Sequence, residues 1–140
     1  MSGMIVSLQI AQGKGVPMQA KPSVMAITEL GIGGDWHARK ESKRQVLLMD
    51  EETLIEFGLQ PGRVRENITT HGIELKSLER GTRLRAGNAI FEITLSCAPC
   101  EFIDDIQPGL KAKMEGQRGM LARVVQGGEI KIGDAVEVVK

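Results

Sequence analysis

The sequence predicts a mainly β chain that closes, or nearly closes, into a barrel carrying a few short helices. Three observations carry this. Seven or eight short apolar or alternating runs recur at close spacing, each about as long as a strand. Seventeen glycines and five prolines supply the turns between them. No linker, repeat or low-complexity stretch interrupts the 140 residues, so the chain reads as one domain over 1–140.

The runs follow in order. Residues 4–10 partly alternate apolar and polar side chains, as a half-buried first strand does. A loop over 13–18 follows; it lacks the spacing and the Lys-Ser/Thr ending of a phosphate-binding P-loop. Residues 23–27 form a second strand. Three glycines then fall within four positions in Gly31-Ile32-Gly33-Gly34-Asp35-Trp36-His37, ahead of a basic segment with Arg39, Lys40, Lys43 and Arg44. Glycine there lets the backbone take positive φ and approach another group closely. The segment is either a wide turn before a solvated surface or an anion-binding loop with Asp35 and His37 on its far side.

Residues 45–49 read as a buried strand. Asp50 caps a helix reaching about Phe57, with Glu51 and Glu52 in the first turn and Gly58 ending it. Pro61-Gly62 turns, and Arg65-Glu66-Asn67 leads into a strand over 68–70 that His71-Gly72 breaks. Arg65 and Asn67 offer planar donors suited to oxyanions, with Glu66 to orient them, or all three form a solvated bend. Residues 82–85 and 89–95 flank Gly87-Asn88 as a hairpin. Short helices follow over 101–106 and 110–114. A strand over 120–125 turns at Gly127-Gly128 into a partner over 129–132, and Gly133-Asp134 turns again into a last strand over 135–139.

Composition excludes several functions. Eighteen basic and eighteen acidic side chains balance, which argues against a nucleic-acid partner. Three phenylalanines and one tryptophan are too few for a base-stacking platform. No apolar run approaches the roughly 20 residues that span a bilayer, and no signal peptide is visible. Two cysteines without an export signal fit reduced thiols in a cytoplasmic protein.

Those cysteines form Cys97-Ala98-Pro99-Cys100. Proline suits the first position of a helix, which puts Cys100 in a first turn whose N–H groups and dipole stabilise a thiolate. Glu101 opposes this. Cys100 is therefore a candidate nucleophile, sulfur carrier or soft-metal ligand, or else an ordinary buried cysteine. A redox C-x-x-C pair expects a βαβ unit, and the preceding hairpin is antiparallel. Zinc ligation by both cysteines with His37 and His71 lacks finger spacing. Cys97 reads as a core-facing residue at a strand end. His37, two residues after Asp35, is a candidate acid, base or anion contact. Arg118-Gly119 is a solvated charge or an anion contact.

An ordered series runs through the chain: Gly31-Ile32-Gly33-Gly34-Asp35-Trp36-His37, Arg44-Gln45-Val46-Leu47-Leu48, Pro61-Gly62, Arg65-Glu66-Asn67-Ile68-Thr69, Gly72, Leu75, Leu78, Gly81, Pro99-Cys100, Arg118-Gly119-Met120-Leu121-Ala122-Arg123-Val124 and Gly133-Asp134. In this the chain resembles a stand-alone MOSC domain, the family named for the C-terminal domain of molybdenum-cofactor sulfurase. The resemblance covers about residues 15–139. It implies a MOSC-type β-barrel and either sulfur transfer or chemistry dependent on a molybdenum-pterin cofactor. Relatives include reductases of N-hydroxylated compounds as well as cofactor sulfurases. By the same resemblance Cys100 carries sulfur or meets molybdenum, while Gly33, Gly34, Asp35, His37, Arg65, Glu66, Asn67 and Arg118 fall on the other recurrent or anion-holding positions. It also implies a cysteine desulfurase or a molybdoenzyme as partner. Pyridoxal phosphate belongs to a separate desulfurase domain and is not expected in this chain. A non-catalytic cofactor carrier and a two-cysteine redox or zinc module are the alternatives.

Overall fold

The computed structural model describes residues 2–97 and 102–139. Its strands are β1 (Ser2–Ile10), β2 (Gln19–Ala20), β3 (Ser23–Ile27), β4 (Gly31–Ile32), β5 (Val46–Asp50), β6 (Ile68–His71), β7 (Arg83–Ala86), β8 (Ala89–Ser96), β9 (Met120–Gln126), β10 (Gly128–Lys131) and β11 (Ala135–Val138). The helices are α1 (Glu51–Glu56), α2 (Phe102–Ile106) and α3 (Leu110–Lys113), with one 3₁₀ turn over Leu75–Ser77. Among these described residues no helix is long and apolar enough to cross a membrane.

Seven strands close a barrel in the order β11-β7-β8-β9-β5-β6-β1, and β1 pairs back onto β11. Closure leaves the barrel without free edges. A register shift between Ile5 and Ser7 bends β1, so that its start pairs with β11 and its end with β2. The expected β7–β8 hairpin is present, with Arg83 opposite Glu92 and Ala86 opposite Ala89.

Three sequence expectations need correcting. The strand after Gly127-Gly128 does not fold back on β9. Instead β10 pairs with β3 from Gly128–Ala26 to Lys131–Ser23, in a separate three-stranded sheet with β4. The last strand likewise leaves β10 and pairs with β1 and β7. The reason is steric. A Cβ on Gly127 would meet the Ala26 carbonyl and one on Gly128 the Asn88 carbonyl, so these glycines thread the chain between strands rather than form a hairpin tip. The glycine-rich segment also begins as strand, at β4, before it loops.

The alternation of β5 decides where a site can lie. Val46 and Leu48 point into the barrel core with Phe91, Ile93, Ala122 and Val124. Met49 points outward into a second cluster with Leu54, Val64, Ile103, Leu110 and Met114, beneath the three short helices. Leu47 also points outward, into a third small cluster with Cys97 and Leu121. A strand apolar on both faces is covered on both sides, which is why 46–49 reads as a continuous apolar run. β5 and β6 run parallel, with α1 in the crossover between them. Asp50 caps α1 by accepting from the Thr53 amide at 3.1 Å, and Leu59 N donates back to Leu54 O at 2.8 Å around Gly58, which has φ +69°.

Candidate functional site

The outward cluster on β5 forms the floor of a cavity of about 440 Å³ on the barrel's outer wall. Leu47 of β5, Leu121 of β9 and Cys97, just past the end of β8, lie at its base. The loop after β4 supplies Trp36, His37, Arg39, Ser42 and Arg44; the approach to β6 supplies Arg65 and Asn67; Arg118 and Phe102 complete it. Four guanidinium groups and one imidazole thus converge around a thiol. No carboxylate is among the described lining residues.

Asp35 shapes the cavity without lining it. Its side chain is buried; Oδ1 accepts from the Ala11 amide at 2.7 Å, Oδ2 from the His37 amide at 3.1 Å. Oδ2 also lies 3.4 Å from His37 Nδ1, which fixes the imidazole from behind. Burial pushes the Asp35 carboxyl up, but the hydrogen bonds from His37 and the Ala11 amide outweigh it and hold the group below its ordinary value of 3.8. The His37 side chain stays 37% exposed. Trp36 meets it edge-on at 5.3 Å, and the Arg39 guanidinium lies 5.6 Å from the indole centre. Buried Gln45 staples this loop to the barrel, donating to Arg39 O and accepting from the Val124 amide.

Arg65 sits at φ +68°, a left-handed conformation that costs a non-glycine residue about 1 kcal/mol or more. Its guanidinium donates to Val16 O at 2.8 Å and Gly13 O at 3.3 Å, tying the 13–18 loop to the cavity wall. Asn67 is a structural clamp: Oδ1 accepts from the Leu47 amide at 3.1 Å and Nδ2 donates to Gln9 O at 3.2 Å. Arg118 is 5% exposed. It donates to Cys97 Sγ at 3.2 Å and to Val64 O at 3.0 Å, and its guanidinium carbon lies 4.9 Å from the Phe102 ring centre.

Of the residues singled out from sequence, His37, Arg65, Asn67 and Arg118 line one cavity. Gly33, Gly34, Asp35 and Glu66 stand outside its lining. The Gly33 amide donates to Met25 O at 2.8 Å, and those of Asp35, Trp36 and His37 are also spent within the protein. Glu66 is fully buried behind the Arg65 turn; Oε2 accepts from the Thr69 hydroxyl at 3.0 Å, while Oε1 has no hydrogen-bond partner among the described residues. Burial pushes this carboxyl above its ordinary value of 4.5, against backbone amides at Gly62, Glu66 and Val64. His71 is elsewhere, 3.0 Å from Glu51 on α1. The Cys100 position lies outside the described residues. Among those described, no group of three or more His, Cys, Asp or Glu side chains is arranged to hold a metal ion.

Sequence reasoning passed over Arg39 and Arg44, which look like ordinary surface charge, and it gave Cys97 no role beyond the core. Their signal was only sequence proximity to the glycine segment and to Pro99-Cys100. Nothing in a linear pattern shows that the two stretches meet.

The fold is shared with several solved structures. The YuaD protein from Bacillus subtilis superposes with a TM-score of 0.82 at 22% identity, covering 99% of this chain and 96% of that one. YiiM from Escherichia coli gives 0.76 at 19% identity, covering 100% of this chain and 70% of that one, and YiiM from Geobacillus stearothermophilus gives 0.81 at 18%, covering 99% and 75%. No curated protein matches the sequence. The MOSC domain profile matches residues 35–137, from the aspartate that holds His37 to the last barrel strand, and the chain belongs to the MOSC domain family.

Proposed function

We propose that the outer-wall cavity binds a molybdenum-pterin cofactor and that the chain handles sulfur, or supports cofactor-dependent chemistry, through Cys100. The observation that carries this reading is the lining: four arginines and a histidine around a thiol, with no carboxylate among the described lining residues. That donor set fits a phosphate-bearing ligand with a thiophilic metal. Arg39 and Arg44, both exposed, and the half-buried Arg65 are placed to hold anionic groups. Arg118, pinned by Val64 O and Phe102, keeps positive charge beside the Cys97 sulfur. His37, held by Asp35, is the cavity's fixed protonatable ring. When bound, the cofactor supplies a metal centre able to accept or donate sulfur or oxygen.

Cys100 stands in sequence between Cys97 and Phe102, both of which line the cavity. A persulfide there requires a partner that delivers sulfur, such as a cysteine desulfurase, and one that accepts it, such as a molybdoenzyme.

Native mass spectrometry of the purified protein tests the reading. A bound pterin, or a sulfur adduct on Cys100 that Cys100→Ser removes at unchanged thermal stability, is the expected result. Pterin binding that survives Cys100→Ser but is lost in Arg44→Glu would make the chain a carrier. Neither pterin nor adduct, after co-expression with a cofactor source, overturns the proposal.

A further inference from the structure

A second cavity of about 700 Å³ adjoins the first, and the role proposed above does not use it. Its walls come from three separate segments: the 13–18 loop, the turn around Pro61-Gly62, and α2. Arg65 and Phe102 line both cavities and so form the partition between them. The partition is built rather than incidental. Arg65 is tied by hydrogen bonds to Gly13 O and Val16 O, and Phe102 carries the Arg118 guanidinium 4.9 Å from its ring centre.

The lining has a definite chemistry. Pro17, Met18, Pro61, Phe102 and Ile106 present apolar surface, two of them as rigid proline rings and one as an aromatic face. Flat carbon surfaces of this kind pack best against a flat ligand. Lys14 and Arg63, both exposed, add two cationic side chains to Arg65, against one carboxylate, Asp105, among the described lining residues. The volume falls within the roughly 300–1,000 Å³ of small-molecule sites. Apolar walls with net positive charge select an organic anion over both a neutral apolar molecule and a small inorganic ion.

We propose that the second cavity binds a small planar organic anion, an aromatic carboxylate, sulfonate or phosphate, whose inner end meets the contents of the first cavity across the Arg65–Phe102 partition. The meeting rests on the cofactor reading of the first cavity; binding in the second does not. The chain is thereby a two-compartment protein, with the cofactor in one and an aromatic co-substrate in the other.

The test is a ¹⁵N–¹H titration of the full chain with 2-naphthalenesulfonate, in the presence and absence of excess inorganic pyrophosphate. Trp36, the chain's one tryptophan, lines only the first cavity, so its indole N–H reports that compartment separately. The proposal expects saturable shifts at the amides of residues 14, 15, 18 and 60, 62, 63, little change at the Trp36 indole, and no competition by pyrophosphate. Combined Lys14→Glu and Arg63→Glu weakens binding by about tenfold or more, because two attractions become repulsions. Met18→Glu, at the apolar wall, gives a loss of the same kind by a different route. Shifts confined to Trp36, His37 and Arg44, binding unchanged in all these variants, or no saturable shift would overturn it. If no pterin is retained while naphthalenesulfonate still saturates the 14–18 and 60–63 amides, the cofactor reading fails and the second site stands.

Discussion

Asn67→Ala separates a cavity wall from a ligand contact. In the native chain the Asn67 side chain occupies the gap between β1 and β5, accepting from Leu47 N and donating to Gln9 O, while its own backbone bonds Leu47 O and Gln9 N at 2.9 Å each. Truncation removes both side-chain bonds and strands a buried N–H and a buried carbonyl, at about 1–3 kcal/mol each. The combined cost is about 2–6 kcal/mol, a large part of a typical domain's stability. At about 4 °C per kcal/mol for a chain of this size, Tm falls by at least about 8 °C. Urea unfolding followed by circular dichroism, with calorimetry for Tm, measures it. Arg44→Gln, which alters an exposed cavity residue, serves as the control and stays within about 0.5 kcal/mol of wild type. A loss below about 1 kcal/mol in Asn67→Ala, combined with lost pterin or pyrophosphate binding, would refute the clamp and make Asn67 a ligand contact.

Two of the buried acids, Asp35 and Glu66, predict opposite pH profiles. Asp35 has a depressed folded value, so its contribution to stability is full above 3.8 and lost as pH falls through the folded value; in acid denaturation the gap between wild type and Asp35→Asn closes there. Glu66 has a raised folded value, so its contribution is full below 4.5 and lost as pH rises through the folded value. Glu66→Gln therefore gains stability relative to wild type as pH rises above 4.5, measured as urea midpoints from pH 4 to 8; a constant gap would mean the carboxyl ionises as freely folded as unfolded. Gly119→Ala destabilises by about 2 kcal/mol or more and lowers soluble yield, because φ is +109° and the new Cβ would meet Leu48 O. Since Gly119 O also accepts from the Cys97 amide, the same variant increases Cys97 alkylation by iodoacetamide.

The cavity owes its position to an ordinary property of strands. In β5, alternate residues face opposite sides, so Leu47 is available outside only because Val46 and Leu48 are buried inside. The guanidiniums then arrive on three loops: the one after β4, shaped by Asp35 under His37 and Gln45 under Arg39; the one before β6, where Arg65 is tied to the Val16 and Gly13 carbonyls; and the one before β9, where Arg118 is tied to the Val64 carbonyl. These loops are held by hydrogen bonds made within the protein, which lowers the reorganisation needed when an anion binds.

Local rules were enough for much of this chain. Period-2 runs and turn glycines locate the barrel strands, Asp50 and Gly58 bracket α1, and Gly87-Asn88 sets the β7–β8 hairpin. The ordered motifs carry the family as well. These features depend on neighbours in sequence, where geometry follows from a few torsion angles and one or two hydrogen bonds. The tertiary structure alone decided that β10 joins β3 and β11 joins β1 and β7, since alternation says which residues share a face but not which strand lies beside them. It alone showed that the Gly33 amide is spent on Met25 O, so this glycine serves the strand edge instead of lining the cavity. And it alone drew Arg39, Arg44, Arg65 and Arg118 together around Cys97, because burial and long-range pairing, rather than spacing along the chain, determine which charges share a cavity.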